Sequence, residues 1–105
     1  MDKKSAIELA KRFSEQVCEF MPVQRVILYG SCVKEEAKVN SDIDIAVIVE
    51  KLEGDYLNAQ AKLFRLRRSI DLRIEPIIIE QSEDKSGFLE EILETGIEIH
   101  TTTVA

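Results

Sequence analysis

The chain has 105 residues, 45% of them apolar and 32% charged, so it can form one domain with a single core, residues 1–105, but not two. Its formal net charge of −6 disfavours the basic surface that non-specific nucleic-acid binding needs, which makes nucleic acid an unlikely partner. No run reaches the ~20 apolar residues of a membrane span, and the start lacks a signal peptide's apolar centre. Two cysteines are too few for a secreted disulfide scaffold. We therefore expect a cytoplasmic protein whose cysteines are buried.

The first predicted element is a helix from about Ser5 to Phe20. Ser5 and Glu8 form an S-x-x-E pattern that is typical of a helix N terminus. Apolar residues then recur at helical spacing, and Pro22 ends the helix.

Two buried strands are predicted next, with a short helix between them. The run VQRVILY forms the first strand and stops at Gly30. The short helix extends from Ser31 to about Lys38, and the run DIDIAVIV forms the second strand.

A second long helix begins at Gly54 and Asp55 and leads into the run IDLRIEPIII. Alternation in this run predicts a long strand that carries Asp71, Arg73 and Glu75 on one side. Because Pro76 cannot donate to a ladder, this strand must lie at a sheet edge or contain a bulge.

A last helix ends at Gly96, and the run IEI adds a short strand. Helices and strands alternate along the chain. The pattern therefore predicts an α/β or α+β fold, with a small mixed sheet of about four strands flanked by helices.

Two aspartates open the second strand, although a strand that enters a core needs no such pair. Asp42 and Asp44 are two residues apart, so both side chains point to the same face of the pleat. Their charges repel one another unless a cation lies between them. Carboxylate oxygens suit Mg²⁺, which shares protein acids with substrate phosphates, so the pair predicts a metal site.

The preceding strand turns into the short helix at Gly30 and Ser31. Glycine allows a ligand to approach the backbone closely, and the free N–H groups at a helix start favour phosphate. An ordinary turn with a serine cap is the alternative for these two residues taken alone.

A third acid is expected from the strand that carries Asp71, Arg73 and Glu75. If its polar face lies beside that of Asp42 and Asp44, three or four carboxylates converge. Asp71 is the first candidate for the third acid and Glu75 is the alternative. Arg73 is either an ion-pair partner of these acids or a phosphate ligand.

The motif Gly30-Ser31, ten residues, then Asp42-Ile43-Asp44 resembles the signature of the DNA polymerase beta nucleotidyltransferase superfamily. The later run IDLRI is similar to the strand that supplies this superfamily's third metal-binding acid. The short chain resembles its minimal nucleotidyltransferase (MNT) group. The resemblance covers residues 23–99.

The resemblance implies a polymerase-beta-type nucleotidyltransferase fold and a role for each matching residue. Asp42, Asp44 and Asp71 would be the catalytic, metal-binding residues for two Mg²⁺ ions, with Mn²⁺ as a substitute. Gly30 and Ser31 would bind the nucleoside triphosphate. The same nucleotide-binding role is assigned to Lys34 and Arg73, two positively charged residues near these motifs.

The expected reaction is transfer of AMP from ATP to a hydroxyl of a partner protein. Members of the MNT group pair with helical HEPN toxins as antitoxins, so such a partner is expected here, and a homo-oligomer is left open. Many relatives carry arginine, arginine and glycine where this chain has Cys32, Lys34 and Glu35. Because of this departure, an alternative to the catalytic function stays open, namely a non-catalytic binding module that neutralises a partner toxin.

Overall fold

The computed structural model describes residues 2–34, 41–84 and 86–102 of the chain. These residues form three α-helices and four β-strands, which are, in chain order, α1 Lys3–Phe20, β1 Arg25–Tyr29, β2 Ile43–Val49, α2 Tyr56–Leu66, β3 Ile74–Glu80, α3 Phe88–Thr95 and β4 Ile97–Thr101.

The four strands form a mixed sheet in the order β3-β2-β1-β4. β1 pairs antiparallel with both β2 and β4, whereas β2 and β3 are parallel. The prediction of a mixed sheet of about four strands flanked by helices is therefore confirmed, as is the short last strand. No helix in the described ranges combines the length and the apolar character that crossing a membrane requires.

The first helix begins earlier than the sequence pattern indicated. Asp2 is its N-cap, and the Asp2 side chain accepts a hydrogen bond of 2.7 Å from the Ser5 backbone N–H. The predicted capping role of Ser5 is therefore wrong, because Ser5 lies inside the first turn of the helix, where its own N–H is capped by Asp2. The helix ends at Phe20, two residues before Pro22, as expected.

The two faces of the sheet bury different apolar groups. One face packs against α1 and α2, with Phe13, Leu28, Ile45 and Leu63 among its fully buried side chains. The opposite face contacts the two-turn helix α3 through a smaller cluster, made of Ile27, Ala46, Ile48, Ile79, Leu89 and Ile92. Because α3 is short, part of this second face stays accessible.

The third strand is shorter than predicted and lies at a sheet edge, one of the two alternatives that Pro76 left. Residues 71–73 form a turn and β3 starts at Ile74. The backbone groups of β3 that point away from β2 are bonded by side chains of α2. Gln60 donates to the Pro76 carbonyl at 2.6 Å and accepts from the Ile78 N–H at 3.1 Å, and the Tyr56 hydroxyl donates to the Ile78 carbonyl at 3.2 Å.

The C-terminal helix ends where the sequence predicted, at Gly96, but for a different reason. Gly96 has a φ of −86°, so it does not use the left-handed conformation. A Cβ atom there would collide with the Ile27 side chain and the Leu28 carbonyl. Glycine at this position therefore lets the start of β4 approach β1 closely.

The two cysteines have different environments. Cys32 is buried, as expected, whereas Cys18 is exposed on α1, so the expectation for Cys18 was wrong. Both are free thiols.

Candidate active site

Asp44 lies on the sheet face that α3 covers only in part. It is the second residue of β2, and its neighbours in the pleat, Ala46 and Ile48, belong to the cluster under α3. Tyr29 at the end of β1 is paired with Asp44, and Glu75 of β3 is paired with it on the other side. The pleat thus places a half-buried carboxylate at the open end of an otherwise apolar face.

The turn after β1 packs directly on this carboxylate. Gly30 has a φ of +81°, and a Cβ atom at this position would collide with the Asp44 Oδ2 atom. Gly30 to Cys32 form a single 3₁₀ turn, in which the N–H groups of Val33 and Lys34 donate to the Gly30 carbonyl. The predicted turn at Gly30 is confirmed.

Of the predicted short helix, only this 3₁₀ turn falls within the described residues, and 35–40 lie outside them. The predicted nucleotide-binding residues Ser31 and Lys34 both lie at this turn, Ser31 half-buried and Lys34 exposed.

Cys32 links this turn to the start of the second strand. Its buried Sγ donates to the Asp42 carbonyl at 3.3 Å. Burial and the nearby charge of Asp44 raise the pKa of the Cys32 thiol, so the group stays a neutral donor. This buried position suits a small thiol and not a long cationic side chain, which gives the departure at Cys32 a structural role.

The Asp44 carboxyl group has a raised pKa. Burial is the largest cause, followed by the negative charges of Asp42 and then of Glu75. Asp42 itself is exposed, directly before β2. Burial and the two neighbouring negative charges therefore oppose the ionisation of Asp44, and a bound cation would relieve this effect.

The raised pKa of Asp44 predicts an effect on stability. The folded state binds the Asp44 proton more tightly than the unfolded chain does, so protonated Asp44 contributes stability below its ordinary pKa of 3.8. This stability is lost as the pH rises through the raised pKa of Asp44 in the folded state. We expect metal-free Asp44→Asn to have a higher urea midpoint than the wild type at neutral pH. The difference should shrink as the pH approaches 3.8.

Asp55→Asn is the control for this comparison, because Asp55 is an exposed N-cap of α2 and asparagine caps equally well. A wild type that is as stable as Asp44→Asn at neutral pH would contradict the expectation.

Asp71, the first candidate for the third acid, is engaged within its own turn. Its Oδ1 accepts hydrogen bonds from the Arg73 N–H at 2.8 Å and from Nε at 2.9 Å, and its Oδ2 is 2.6 Å from the Arg73 guanidinium. The bonds from Arg73 hold the pKa of Asp71 below its usual value. Arg73 is thus an ion-pair partner of Asp71, one of its two predicted roles.

The expectation that Asp71, Arg73 and Glu75 project from one strand face is wrong, because β3 begins only at Ile74. Of these three residues, Glu75 alone lies on the strand, paired with Asp44. Its Oε1 atom is 3.2 Å from a guanidinium nitrogen of Arg67.

Arg67 was missed as a site residue. In the sequence it is one of three arginines close together at the end of α2, where cations complement the helix dipole. Only the packing of α2 along β3 brings it to Glu75.

The acidic side chains of this site are of the chemical type that binds divalent cations. Asp42, Asp44 and Glu75 supply carboxylate oxygens, the ligands that Mg²⁺ and Mn²⁺ accept, and the charges of Asp42 and Glu75 add to burial in raising the pKa of Asp44. Within residues 2–34, 41–84 and 86–102, no three His, Cys, Asp or Glu side chains are grouped closely enough to hold a metal ion. Glu75 would have to leave Arg67 to join the two aspartates.

Comparison with known proteins identifies a matching family and a similar curated protein. A family model described as polymerase beta nucleotidyltransferase matches residues 8–103. The chain is 28% identical over 99 residues to a Methanocaldococcus jannaschii protein provisionally named a protein adenylyltransferase, which covers 89% of this chain and 97% of that protein.

Two solved structures share the fold. A chain of a toxin–antitoxin complex with AMP-PNP superimposes with a TM-score of 0.68 at 20% identity, covering 89% of this chain and 74% of that one. A chain of the complex between tri-AMPylated Shewanella oneidensis HEPN toxin and its MNT antitoxin gives 0.62 at 18% identity, covering 91% and 73%. At these identities the similarity establishes the fold alone.

Proposed function

This chain belongs to the polymerase beta nucleotidyltransferase family, and we propose that it transfers AMP from ATP to a hydroxyl group of a partner protein. The observation that carries the proposal is the contact of the Gly30 turn with Asp44, which brings a backbone turn of a kind suited to phosphate next to a carboxylate whose pKa is raised by burial and by the charges of Asp42 and Glu75. The relative named a protein adenylyltransferase supports a protein as acceptor.

Each residue of the site has a proposed role. Gly30 and Ser31 bind the triphosphate through the backbone, since glycine, which the positive φ at position 30 favours, has no side chain to keep a ligand away from the turn. Lys34 and Arg73 are proposed to bind phosphate oxygens, and for Arg73 this adds to its ion pair with Asp71.

Asp42 and Asp44 are the proposed ligands of two Mg²⁺ ions, for which Mn²⁺ can substitute. When bound, such ions neutralise the triphosphate and stabilise the charge of the attacking and leaving oxygens.

The third acid is proposed to be Glu75, in place of Asp71. Glu75 is paired with Asp44 across β2 and β3, on the same face of the sheet. Asp71 lies before the strand and already uses both carboxylate oxygens on Arg73. A carboxylate at Glu75 can accept the proton of the acceptor hydroxyl as that oxygen attacks the α-phosphorus and pyrophosphate leaves.

The partner is proposed to be a small helical HEPN-type toxin, which would make this protein the antitoxin of a HEPN/MNT pair. Two solved structures with this fold come from toxin–antitoxin complexes, one of which has an AMPylated toxin. A second candidate function keeps the partner but not the reaction. In that case the protein neutralises the toxin by complex formation, which the altered residues Cys32 and Lys34 after Ser31 favour.

Co-expression with the product of the neighbouring gene tests both candidates. After addition of MgATP, intact-mass spectrometry of the purified complex should show the partner heavier by one or more AMP groups. The added mass should be absent when ATP is omitted and when the Asp44→Asn variant replaces the wild type. Peptide mapping should place the group on a hydroxyl side chain.

The other outcomes separate the alternatives. A stable complex with no added mass favours the binding module, and the absence of any complex rejects the proposed partner. Added mass with Asp44→Asn at the wild-type level would reject the proposed site.

A further inference from the structure

The Arg67 side chain is held in place by three groups. Its guanidinium carbon lies 4.8 Å from the centre of the Phe64 ring. One of its terminal nitrogens donates to the Ile74 carbonyl at 2.9 Å and to Glu75 Oε1 at 3.2 Å. A cation with an aromatic face beneath it and two oxygens in front has a defined position, although a quarter of its side chain is exposed.

Arg67 and Asp44 lie on opposite sides of β3. Asp44 belongs to β2, the inner neighbour of β3. Arg67 follows α2, and its guanidinium bonds the outward-pointing Ile74 carbonyl, as the α2 residue Gln60 bonds the outward-pointing Pro76 carbonyl. The Glu75 carboxylate is therefore drawn toward the outer edge of the sheet, away from Asp44.

This position accounts for two properties of the site. Glu75 contributes the smallest of the three causes that raise the pKa of Asp44, although it sits beside Asp44 in the register. The position of the Glu75 carboxylate also explains why no three acids are grouped closely enough to hold a metal in the described part of the chain.

We propose that Arg67 is a positioning residue that holds Glu75 away from Asp44 when no metal is bound and releases it when a divalent cation binds. This rests on the proposed function of Glu75 as the third acid. The ion pair is weak enough for such an exchange, because Glu75 is 42% exposed and exposed ion pairs contribute little.

The test is Mn²⁺ binding, measured by electron paramagnetic resonance of free Mn²⁺ in the presence of a non-hydrolysable ATP analogue. Because Arg67 competes with the metal for Glu75, Arg67→Met should bind Mn²⁺ about two- to fivefold more tightly than the wild type, the size that an exposed ion pair allows. Arg67→Gln keeps a donor for the Ile74 carbonyl without the charge and should behave in the same way, which covers the case that the methionine variant does not fold.

Two controls separate an effect through Glu75 from the general effect of removing a positive charge. Arg68→Met removes the same charge from the exposed neighbouring position and should leave Mn²⁺ affinity unchanged. In a Glu75→Gln background, Arg67→Met should have no effect, since Arg67 acts through Glu75.

The outcomes distinguish this proposal from the proposed function. Unchanged or weaker Mn²⁺ binding by both Arg67 variants overturns the role of Arg67 alone, as does tighter binding that persists without Glu75. Failure of the wild type to bind Mn²⁺ with the nucleotide analogue overturns the metal-dependent function, and the role of Arg67 with it.

Discussion

Asp44→Asn is expected to abolish AMP transfer while leaving the fold intact. Asparagine keeps the shape of the side chain beneath the Gly30 turn but removes the charge that metal binding requires. Since the bound ions supply several kcal/mol of transition-state stabilisation, we expect the rate of transfer to fall by about 10³-fold or more. Intact-mass time courses with partner and MgATP measure this rate.

Asp55→Asn, the same substitution at the exposed cap of α2, should retain wild-type transfer. The circular dichroism spectrum of Asp44→Asn should match that of the wild type. Transfer at the wild-type rate would show that Asp44 does not bind the metal, and loss of the folded spectrum would assign it a structural role.

Glu75→Gln is expected to reduce transfer by about 10²-fold or more, whereas Asp71→Asn should reduce it by less than about tenfold. Glu75 is paired with Asp44 on the same face of the sheet, but Asp71 is bonded within a turn that precedes β3. Each substitution replaces a carboxylate with its amide, so the two variants are matched in chemistry and differ in place.

The dependence of the transfer rate on Mg²⁺ concentration gives a second measurement. Glu75→Gln should need more Mg²⁺ for half-maximal rate, and Asp71→Asn should need the same amount as the wild type. The reverse pattern would make Asp71 the third acid.

The ion pair between Asp71 and Arg73 should also affect stability, because Arg73 lowers the pKa of Asp71. The pair should stabilise the fold above the ordinary pKa of 3.8, and this stability should be lost as the pH falls through the lowered pKa of Asp71.

Most of the fold could be predicted because its elements carry strong local patterns. The apolar run of β2 and the helical spacing of α1 each identify one type of element. Pro76 limited β3 to a sheet edge or a bulge, since a regular central strand needs the missing N–H, and β3 does lie at an edge. Gly30 and Asp44 could be recognised as a site because their spacing resembles a known motif.

The position of Asp71 could not be predicted from alternation. The residues from Ile70 to Ile74 alternate as a strand does, but the Asp71 side chain accepts from the Arg73 N–H two residues on. This bond forms a side-chain turn that competes with strand pairing. Alternation reports which side chains are apolar and carries no information about such a bond.

The role of Arg67 could not be predicted for a different reason. Its contacts with Ile74 and Glu75 depend on how α2 packs along β3, and no pattern within α2 contains that information. The same holds for Gln60, whose amide bonds two backbone groups of β3.

The bonds from α2 to β3 also determine how this protein can assemble. An edge strand with open N–H and carbonyl groups is a template on which another chain can add a strand. In β3 the outward groups of Pro76 and Ile78 are already occupied by Gln60 and Tyr56. A partner that extends this sheet by strand addition would therefore have to use β4, the opposite edge, so β3 resists uncontrolled fibre-like association.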